Sequence, residues 1–395
     1  MFRSRNEFMD RIPRNITDNY SEEAVRDRID WLRRKTGLPL DGIATYSIAP
    51  SDARGNIENF VGVAQVPIGL AGPLRINGNH AQGNFFVPLA TTEGALVASY
   101  NRGMKVIGES GGANARILKD ETYIGAIIDF GNLSEVIRFS HWVKENFSRL
   151  KEVAESTTHH GKLQSIESSI QGKRALLSFH YTTGDASGLN MITIASKAVM
   201  DLILTEVSVG RCVFPATFND KKSTFRNAIK GRGKNVAADV TISRKLVEGV
   251  LHTTPEEMMQ GCYANSLMSA TIGGTLSHNH HFANGLAALF IACGQDVAYV
   301  AESSVGSTVM DVSDSGDLYV SVTLPDLIAA TMGGGTGLGT AKECLDMLGC
   351  YGTGKVQHFA EIIASVLLAG EVSMWGAIMS GEFSEAHRRY GRKQS

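Results

Sequence analysis

The order of hydrophobic periods in the middle of the chain restricts the possible fold more than any other feature. Strand-like apolar runs and segments with apolar side chains at helical spacing alternate there. In order they cover residues 123–130, 134–155, 163–170, 175–182, 190–207 and an apolar stretch up to 218. Their types give the order βαββαβ, which is that of ferredoxin-like domains. We therefore predict an inserted domain of this type.

The rest of the chain divides at a change of composition near Asn56. Before it, residues 21–35 alternate acidic, basic and apolar side chains, which is typical of a small helical domain; after it the sequence is rich in Gly and Val. A chain of 395 residues is long enough for several domains. We predict an α+β protein with an N-terminal helical domain (1–55), a large domain with a central helix (56–123 and 219–395) and the ferredoxin-like insertion (124–218).

Composition argues against a nucleic-acid or membrane partner. The 38 basic and 40 acidic side chains nearly cancel, no uninterrupted apolar run approaches the length of a membrane span, and the N-terminus has no apolar signal core. We expect a cytoplasmic protein with a small-molecule partner. The cysteines form no close pair motif, which favours reduced, buried thiols over disulfides or a zinc site: Cys212, Cys262, Cys293, Cys344 and Cys350.

Glu93 is the one carboxylate in a small and apolar segment, residues 87–103, whose pattern predicts a strand-to-helix junction. Thr91 or Thr92 stands where a helix N-cap belongs, so we expect Glu93 at the start of the helix. Such surroundings favour the neutral form of a carboxyl, although interaction with the helix dipole would by itself explain a single Glu there. The helix should bury one apolar stripe: Leu96, Tyr100, Met104 and Ile107.

Three other segments carry side chains suited to acid–base chemistry. The tripeptide Asp220-Lys221-Lys222 follows the predicted insertion, Asp296 follows an apolar helix, and His387 lies in a basic tail. Each alone is typical of a solvated turn or surface. Together with Glu93 they supply the acid, base and cation that reduction of a thioester requires. No G-x-G-x-x-G follows a strand, so a dinucleotide would not bind in a Rossmann fold.

Several motifs, in order and spacing, resemble the catalytic portion of hydroxymethylglutaryl-coenzyme A (HMG-CoA) reductase over residues 58–392. Beside the Glu93 segment they are ENFVG (58–62), PIGLAGP (67–73), GDASGLNM (184–191), DKK (220–222), GRGK (231–234) and CGQD (293–296). The pattern is closer to the eukaryotic and archaeal class of the family. The resemblance implies a homodimer with shared active sites. It also implies reduction of an acyl-CoA thioester to a primary alcohol, through a bound aldehyde, by two hydride transfers from NAD(P)H.

The resemblance implies a distinct role for each candidate catalytic residue. Lys221 would hold the developing oxyanion, and Glu93 would donate a proton to that oxygen in the aldehyde step. Asp296 would couple the protonation of these two groups. His387 would protonate the departing thiolate. All four side chains are present.

The nicotinamide motif of the family is matched less fully. Small or apolar side chains at 187 and 189 replace its two usual methionines. His159 falls where close relatives grip the 2′-phosphate with an arginine, and His160 stands beside it, so the resemblance favours NADPH while NADH stays possible. Neither this pair nor the histidines of 278–281 has a carboxylate or cysteine partner at ligand spacing, so we expect no metal. The motif positions are Asp185, Ser187, Gly188, Leu189 and Asn190.

The coenzyme A positions of the family are better preserved. Its phosphate-contacting residues fall at Asn101, Arg102 and Lys105, where polar and basic side chains suit a polyanion. The sequence leaves open whether the thioester is carried by coenzyme A or by a carrier protein. Further positions expected to bind substrate are Ser99, Asp220, His281 and Asn284.

The acyl end departs most from the family, which binds the distal carboxylate of hydroxymethylglutarate with an arginine, a serine and two lysines. Only Lys222 remains, and the other three places are taken by Ile124, Phe214 and Ala264. A carboxylate left unpaired against apolar walls is strongly disfavoured. We therefore hypothesise an acyl group that lacks this carboxylate. Two alternatives stay open: a mevalonate-forming enzyme with a rearranged pocket, and a noncatalytic binding protein, against which the intact catalytic residues argue.

Overall fold

The chain folds as an α+β protein, and the computed structural model describes residues 11–216, 229–275 and 277–384. The strands are β1 (Ile68–Asn77), β2 (Gln82–Ala90), β3 (Asn114–Asp129), β4 (Lys162–Gln171), β5 (Arg174–Thr182), β6 (Cys212–Ala216), β7 (Gly233–Ile242), β8 (Ser307–Val312) and β9 (Leu318–Leu327). The α-helices are α1 (Glu22–Thr36), α2 (Asp41–Ala44), α3 (Leu96–Glu109), α4 (Leu133–Glu145), α5 (Phe147–Glu155), α6 (Leu189–Glu206), α7 (Arg244–Leu246), α8 (Pro255–Thr271), α9 (Phe282–Ala292), α10 (Val300–Ser303), α11 (Gly339–Met347) and α12 (Val356–Met379). Short 3-10 helices cover Pro50–Ala53, Val297–Tyr299 and Gly334–Gly337, and Val247–Leu251 is a π-helical turn.

The predicted βαββαβ region is confirmed. The second half of β3 pairs with β5 on one side and with β6 on the other, and β5 pairs with β4, so the antiparallel order is β4-β5-β3-β6. Helices α4, α5 and α6 pack their apolar stripes on this sheet in a cluster of their own. The single helix predicted over 134–155 is broken at Asn146, whose side-chain amide donates to the carbonyl oxygen of Trp142 at 2.9 Å. A side chain that bonds the local backbone in this way interrupts a helix.

β3 also joins this region to the larger sheet. Its first half pairs with β7, which pairs with β9, and β9 pairs with β8. The predicted domain boundary between residues 123 and 124 therefore falls inside a continuous strand. Backbone hydrogen bonds on both halves of β3 tie the inserted region to the rest of the fold.

α12 is the central helix of the larger part. It packs against β1, β3, β7, β9 and three helices, α3, α8 and α9, and nearly all of its side chains are buried. By length and composition, with a mean hydropathy of 1.8, it could cross a membrane, although Glu361 and Glu371 interrupt its apolar residues. However, 83% of its most apolar stretch is buried inside the fold, which is the packing of a core helix.

The predicted N-terminal helix is confirmed as α1. Ser21 caps it with its side chain, and Gly37 ends it in the left-handed region with φ of 70°. Arg28 of this helix is completely buried and donates from Nε to the carbonyl oxygen of Phe60 at 2.9 Å and from Nη2 to that of Asn19 at 2.8 Å. These bonds fasten the helix to the chain on either side of it.

The five cysteines are free thiols, and all but the partly exposed Cys212 are buried. Burial raises the pKa of each of them. They are therefore uncharged at neutral pH and contribute as small apolar side chains.

Candidate active site

Glu93 lies in a turn between β2 and α3, three residues before the helix begins. The N-cap of α3 is Ala95, with φ of 74° and no capping side chain. Thr91 accepts a hydrogen bond from the amide of Glu93 at 3.0 Å, which forms a local turn rather than a helix cap. The prediction that Thr91 or Thr92 caps the helix was therefore wrong, because the chain makes a turn that ends at the left-handed Ala95 before the helix begins. The apolar stripe is confirmed, with each member at most 3% exposed: Leu96, Tyr100, Met104 and Ile107.

The Glu93 carboxyl is exposed and is oriented by a side-chain amide. Its Oε2 accepts a hydrogen bond from Nδ2 of Asn284 at 2.8 Å. Asn284 lies in the first turn of α9. In the single chain Glu93 faces solvent rather than the apolar surroundings that we expected, because the turn before α3 projects it away from the core. The pair nevertheless holds a group capable of proton transfer where a substrate can reach it.

Asp296 follows the other end of α9. It starts the 3-10 helix Val297–Tyr299, and its Oδ1 accepts a hydrogen bond from the amide of Ala298 at 2.9 Å. An 11-residue helix is about 16 Å long, and within the described ranges no hydrogen bond joins Asp296 to Glu93 or Asn284. The described part of one chain thus places these two carboxylates at opposite ends of α9. The remaining predicted residues of this group lie outside the described residues: Asp220, Lys221, Lys222 and His387.

The nicotinamide motif contacts the segment that carries Asp296. The side chain of Ser187 lies next to that of Tyr299, whose pKa is raised by burial and by the Asp296 carboxylate. Gly188 precedes α6 with φ of 74°, and a Cβ at this position would collide with Thr183. Only glycine fits here without strain. Leu189 begins α6, and Asn190 is exposed in its first turn.

Asp185 docks the motif onto the start of α12. Its carboxylate accepts three backbone amides, from Gly354 at 2.8 Å, Lys355 at 3.0 Å and Val356 at 3.1 Å. Its carbonyl oxygen accepts the amide of Thr331 at 2.9 Å. With these four bonds Asp185 holds the loop of the nicotinamide motif in place. We therefore expect it to support cofactor binding by positioning that loop.

The two histidines expected to meet a nucleotide phosphate lie beside the N-terminus of α6. His159 and His160 are exposed in a turn. The preceding residue, Thr158, donates from its hydroxyl to the sulfur of Met191 in the first turn of α6 at 2.9 Å. An 18-residue helix presents a positive N-terminal end to an anion. The residues present therefore fit a phosphate-bearing dinucleotide. Among the described residues there is no group of three or more His, Cys, Asp or Glu side chains that could hold a metal ion.

An open groove between β1 and α3 fits the expected coenzyme A site. It has a volume of about 470 Å³. Asn101 lines it and accepts the amide of Gly72 through Oδ1 at 3.0 Å. Lys105 is exposed, 3.9 Å from Glu109. Arg75 adds a cation that sequence reasoning missed, although its place two residues after the PIGLAGP motif was a signal. The lining residues are Gly72, Pro73, Arg75, Asn84, Asn101, Met104, Lys105, Gly108 and Glu109.

Arg102 and Ser99 lie outside this groove and contact α12, and the phosphate contact of Arg102 stays a prediction. The guanidinium donates to the hydroxyl of Ser373 at 3.0 Å, to the Ser373 carbonyl at 2.7 Å and to Glu382 at 3.3 Å. Ser99 and Ser373 share a hydrogen bond at 3.0 Å. Burial lowers the pKa of Arg102. The close packing of α3 on α12 explains this direction, because one face of α3 must meet α12 while the next meets the groove.

The three apolar replacements at the expected carboxylate site lie in two places. Ile124, on β3 opposite Phe179, and Phe214, on β6, both pack against the apolar cluster of the inserted region. Ala264 is exposed on α8. The structure therefore brings Ile124 and Phe214 to the same apolar surface, whereas Ala264 belongs to the other part of the fold.

His281 is buried at the start of α9, 3% exposed, with its ring stacked on that of Tyr100 at 5.0 Å. Burial lowers its pKa to about 4, with the Glu93 carboxylate acting in the opposite direction, so the imidazole is neutral at physiological pH. Glu371, on α12, holds the backbone of this segment and was missed by sequence reasoning. Its signal was a carboxylate inside an otherwise apolar helix.

The structure thus combines a ferredoxin-like insertion with an exposed carboxyl that a side-chain amide orients. The family model of hydroxymethylglutaryl-coenzyme A reductase matches residues 24–392. The chain belongs to this family. The match begins well before residue 58, where the motifs indicated its start, and so includes most of α1.

Curated relatives match along almost the whole chain. The 3-hydroxy-3-methylglutaryl-coenzyme A reductase of Methanothermobacter thermautotrophicus is 45% identical over 376 residues, which cover 94% of each protein. That of Methanocaldococcus jannaschii is 42% identical over 386 residues, again 94% of each. The archaeal relatives agree with the class that the motifs indicated.

A solved structure shares the fold. The class II 3-hydroxy-3-methylglutaryl-CoA reductase from Streptococcus pneumoniae, bound to NADPH in open conformations, has a TM-score of 0.69 and covers 92% of this chain and 99% of its own. Its sequence is 19% identical, so the likeness concerns the fold.

Proposed function

We propose that this protein reduces 3-hydroxy-3-methylglutaryl-CoA to mevalonate with two molecules of NADPH, as a cytoplasmic homodimer. The identity of 42–45% to archaeal enzymes of that name supports the acyl group. The observation that carries the chemistry is the Glu93 carboxyl held at 2.8 Å by Asn284 on an accessible surface. An oriented and exposed carboxyl can deliver a proton to an oxygen that gains charge as hydride arrives.

The two anionic ligands would bind at different places: coenzyme A in the groove and NADPH at the N-terminus of α6. Arg75 and Lys105 would meet the phosphates of coenzyme A, because cations along an open groove suit a polyanion. The N-terminus of α6, with His159 and His160 beside it, would hold the NADPH phosphates. NADPH, when bound, supplies the hydride. The loop that carries Ser187 stands next to Tyr299 and so links this ligand to the segment of Asp296.

A second candidate function is reduction of an acyl thioester that lacks the distal carboxylate. It is favoured by Ile124 and Phe214, which pack on an apolar cluster where the family uses an arginine and a serine. A carboxylate facing these side chains would lose hydration without gaining a partner. Lys222 remains as one cation of the original set.

Oxidation of NADPH by the purified protein distinguishes the two candidates. We expect turnover of 3-hydroxy-3-methylglutaryl-CoA with two NADPH consumed for each mevalonate formed, measured beside CoA thioesters of similar size without the carboxylate. Turnover of the uncharged thioesters alone would establish the second candidate. Binding of the thioesters without NADPH oxidation by any of them would contradict both and indicate a noncatalytic binding protein.

The variant Ile124→Arg tests the acyl pocket directly. If the carboxylate is bound at this position, the new cation lowers the KM for 3-hydroxy-3-methylglutaryl-CoA by about 10-fold, the size of one charge-assisted hydrogen bond. The KM for an uncharged thioester should not fall. Ile124→Met is the matched control because it changes the shape but adds no charge. An equal response of both thioesters to Ile124→Arg would show that residue 124 does not face the acyl group.

A further inference from the structure

Glu371 is a carboxylate placed in the middle of the buried helix α12. It is 0% exposed. Its Oε1 accepts the backbone amides of His280 at 3.0 Å and of His281 at 2.6 Å, and its Oε2 accepts the hydroxyl of Thr308 at 2.7 Å. A buried carboxylate is retained only when its oxygens are paired, so these bonds fix the residues that donate them.

The residues that Glu371 holds form the start of α9. His281 is the N-cap position of this helix and offers no capping side chain of its own. Helix N-termini leave amide groups without helical partners, and an anion beside them is favourable. The side chain of Asn279 accepts the first amide of the helix, that of Phe282, at 3.3 Å, and Glu371 adds an anchor from another helix at the two preceding amides.

The start of α9 also carries the side-chain amide that contacts Glu93 and the buried ring of His281. Asn284, one turn into the helix, donates to Glu93 at 2.8 Å. The ring of His281 stacks on Tyr100, whose hydroxyl donates to the His281 carbonyl at 3.2 Å. The Nδ1 atom of His281 is buried and has no hydrogen-bond partner among the described residues.

We propose that Glu371 is a positioning residue for the acid–base site: by anchoring the start of α9 it holds Asn284 against Glu93 and fixes the ring of His281. The proposal deepens the proposed function and rests on it. Glu371 does not contact the reacting atoms. It affects proton transfer by fixing the position of α9, which carries Asn284.

Glutamine is a conservative replacement at this position. Its amide oxygen can accept both backbone amides, and its NH2 group can donate to the hydroxyl of Thr308, which then accepts. Burial also raises the pKa of Glu371 to about 7, so a neutral side chain in this place is already close to the native state near neutral pH. Glu371→Gln should therefore preserve the anchor, whereas Glu371→Met removes it.

The same helix supplies a matched control. Glu361 is also 0% exposed, and its carboxylate accepts the backbone amides of Asn79 at 3.2 Å, His80 at 2.8 Å and Ala81 at 2.7 Å. These residues form the turn between β1 and β2 and include no predicted site residue. Glu361→Met and Glu371→Met thus remove equivalent buried anchors, one remote from the Glu93–Asn284 pair and one beneath it.

Steady-state kinetics and thermal denaturation of these variants test the proposal. Both Met variants should lose stability, but only Glu371→Met should lower kcat, by about 10-fold or more with the KM for NADPH nearly unchanged, and Glu371→Gln should restore it to within about 3-fold. The double variant Glu371→Met/Asn284→Ala should be no slower than the slower single variant, because both changes act on one contact. Equal kinetic loss in the two Met variants, or additive losses in the double variant, would overturn the proposal.

Hydrogen exchange gives a readout that needs no activity. The amides of His280 and His281 should exchange faster in Glu371→Met and remain protected in Glu371→Gln and Glu361→Met. If wild-type protein turned over no thioester, the proposed function would fail while this measurement still decided whether Glu371 anchors α9. Should Glu371→Met not fold, Glu371→Asp, which withdraws the carboxylate by one methylene, should show the same faster exchange, and unchanged protection in it would contradict the anchor.

Discussion

Replacing Glu93 by glutamine should slow reduction of the free aldehyde by NADPH by roughly 100- to 10,000-fold, the range typical of a lost general acid. The change is nearly isosteric, and the new amide oxygen can still accept the hydrogen bond that Asn284 donates at 2.8 Å. The geometry of the pair is therefore kept while the transferable proton is removed. Stopped-flow measurement of NADPH oxidation, with the aldehyde and the thioester in separate reactions, would locate the affected step.

The neighbouring variant Asn284→Ala is the control for this experiment. It keeps the carboxyl but frees it to rotate, so we expect a smaller loss of about 10-fold in the same step. Thermal denaturation should show that both variants are folded, since Glu93 is exposed. Aldehyde reduction at the wild-type rate in Glu93→Gln would show that the proton comes from another group.

The elements that sequence predicted well are those whose signals are local. The short apolar runs of β4 and β5 and the helical spacing in α6 are visible within single segments of the sequence, so the order βαββαβ could be derived from them alone. The start of α3 could not be derived in this way. Its position depends on the left-handed Ala95, and no capping side chain records that turn in the sequence.

For the candidate site, too, the sequence predicted which residues take part but not which way their side chains point. Motif spacing named Glu93, Asn284 and Arg102, but not their contacts. Glu93 and Asn284 are 191 residues apart and meet only because β2 and α9 pack together. Arg102 points to Ser373 rather than to the groove, because α3 lies against α12. Such directions follow from tertiary packing, which a motif does not contain.

We expect a further buried carboxylate, that of Asp326, to make the free energy of unfolding depend strongly on pH. Asp326 is 0% exposed at the end of β9, and neither of its oxygens has a hydrogen-bond partner among the described residues. Burial raises its pKa to about 7; Glu302 adds to this effect and nearby Arg232 partly offsets it. Arg232 itself donates to Glu302 at 2.9 Å. The cation is thus paired with Glu302, and the unpaired Asp326 is the acid that keeps its proton up to about pH 7.

The direction of the pH effect follows from proton binding. Between about pH 4 and pH 7 the unfolded chain has released the proton of Asp326 while the folded protein keeps it, so the free energy of unfolding falls as the pH rises. One such group contributes about 1.4 kcal/mol per pH unit, which sums to a loss on the order of 4 kcal/mol over this window. The stabilisation is complete below pH 4 and is lost as the pH passes 7.

Asp326→Asn should remove this dependence because an amide does not ionise. Denaturant unfolding of both proteins should be measured from pH 4 to pH 8. As the pH rises, the free energy of unfolding of the variant should increase relative to that of wild type by roughly 1 kcal/mol or more per pH unit. Glu371 is unchanged in both proteins, so its own raised pKa cancels in the difference. Asp311→Asn, at an exposed aspartate on β8, should leave the curve nearly parallel to wild type. A parallel curve for Asp326→Asn as well would mean that Asp326 is already ionised in the folded protein, with Arg232 as its partner in place of Glu302.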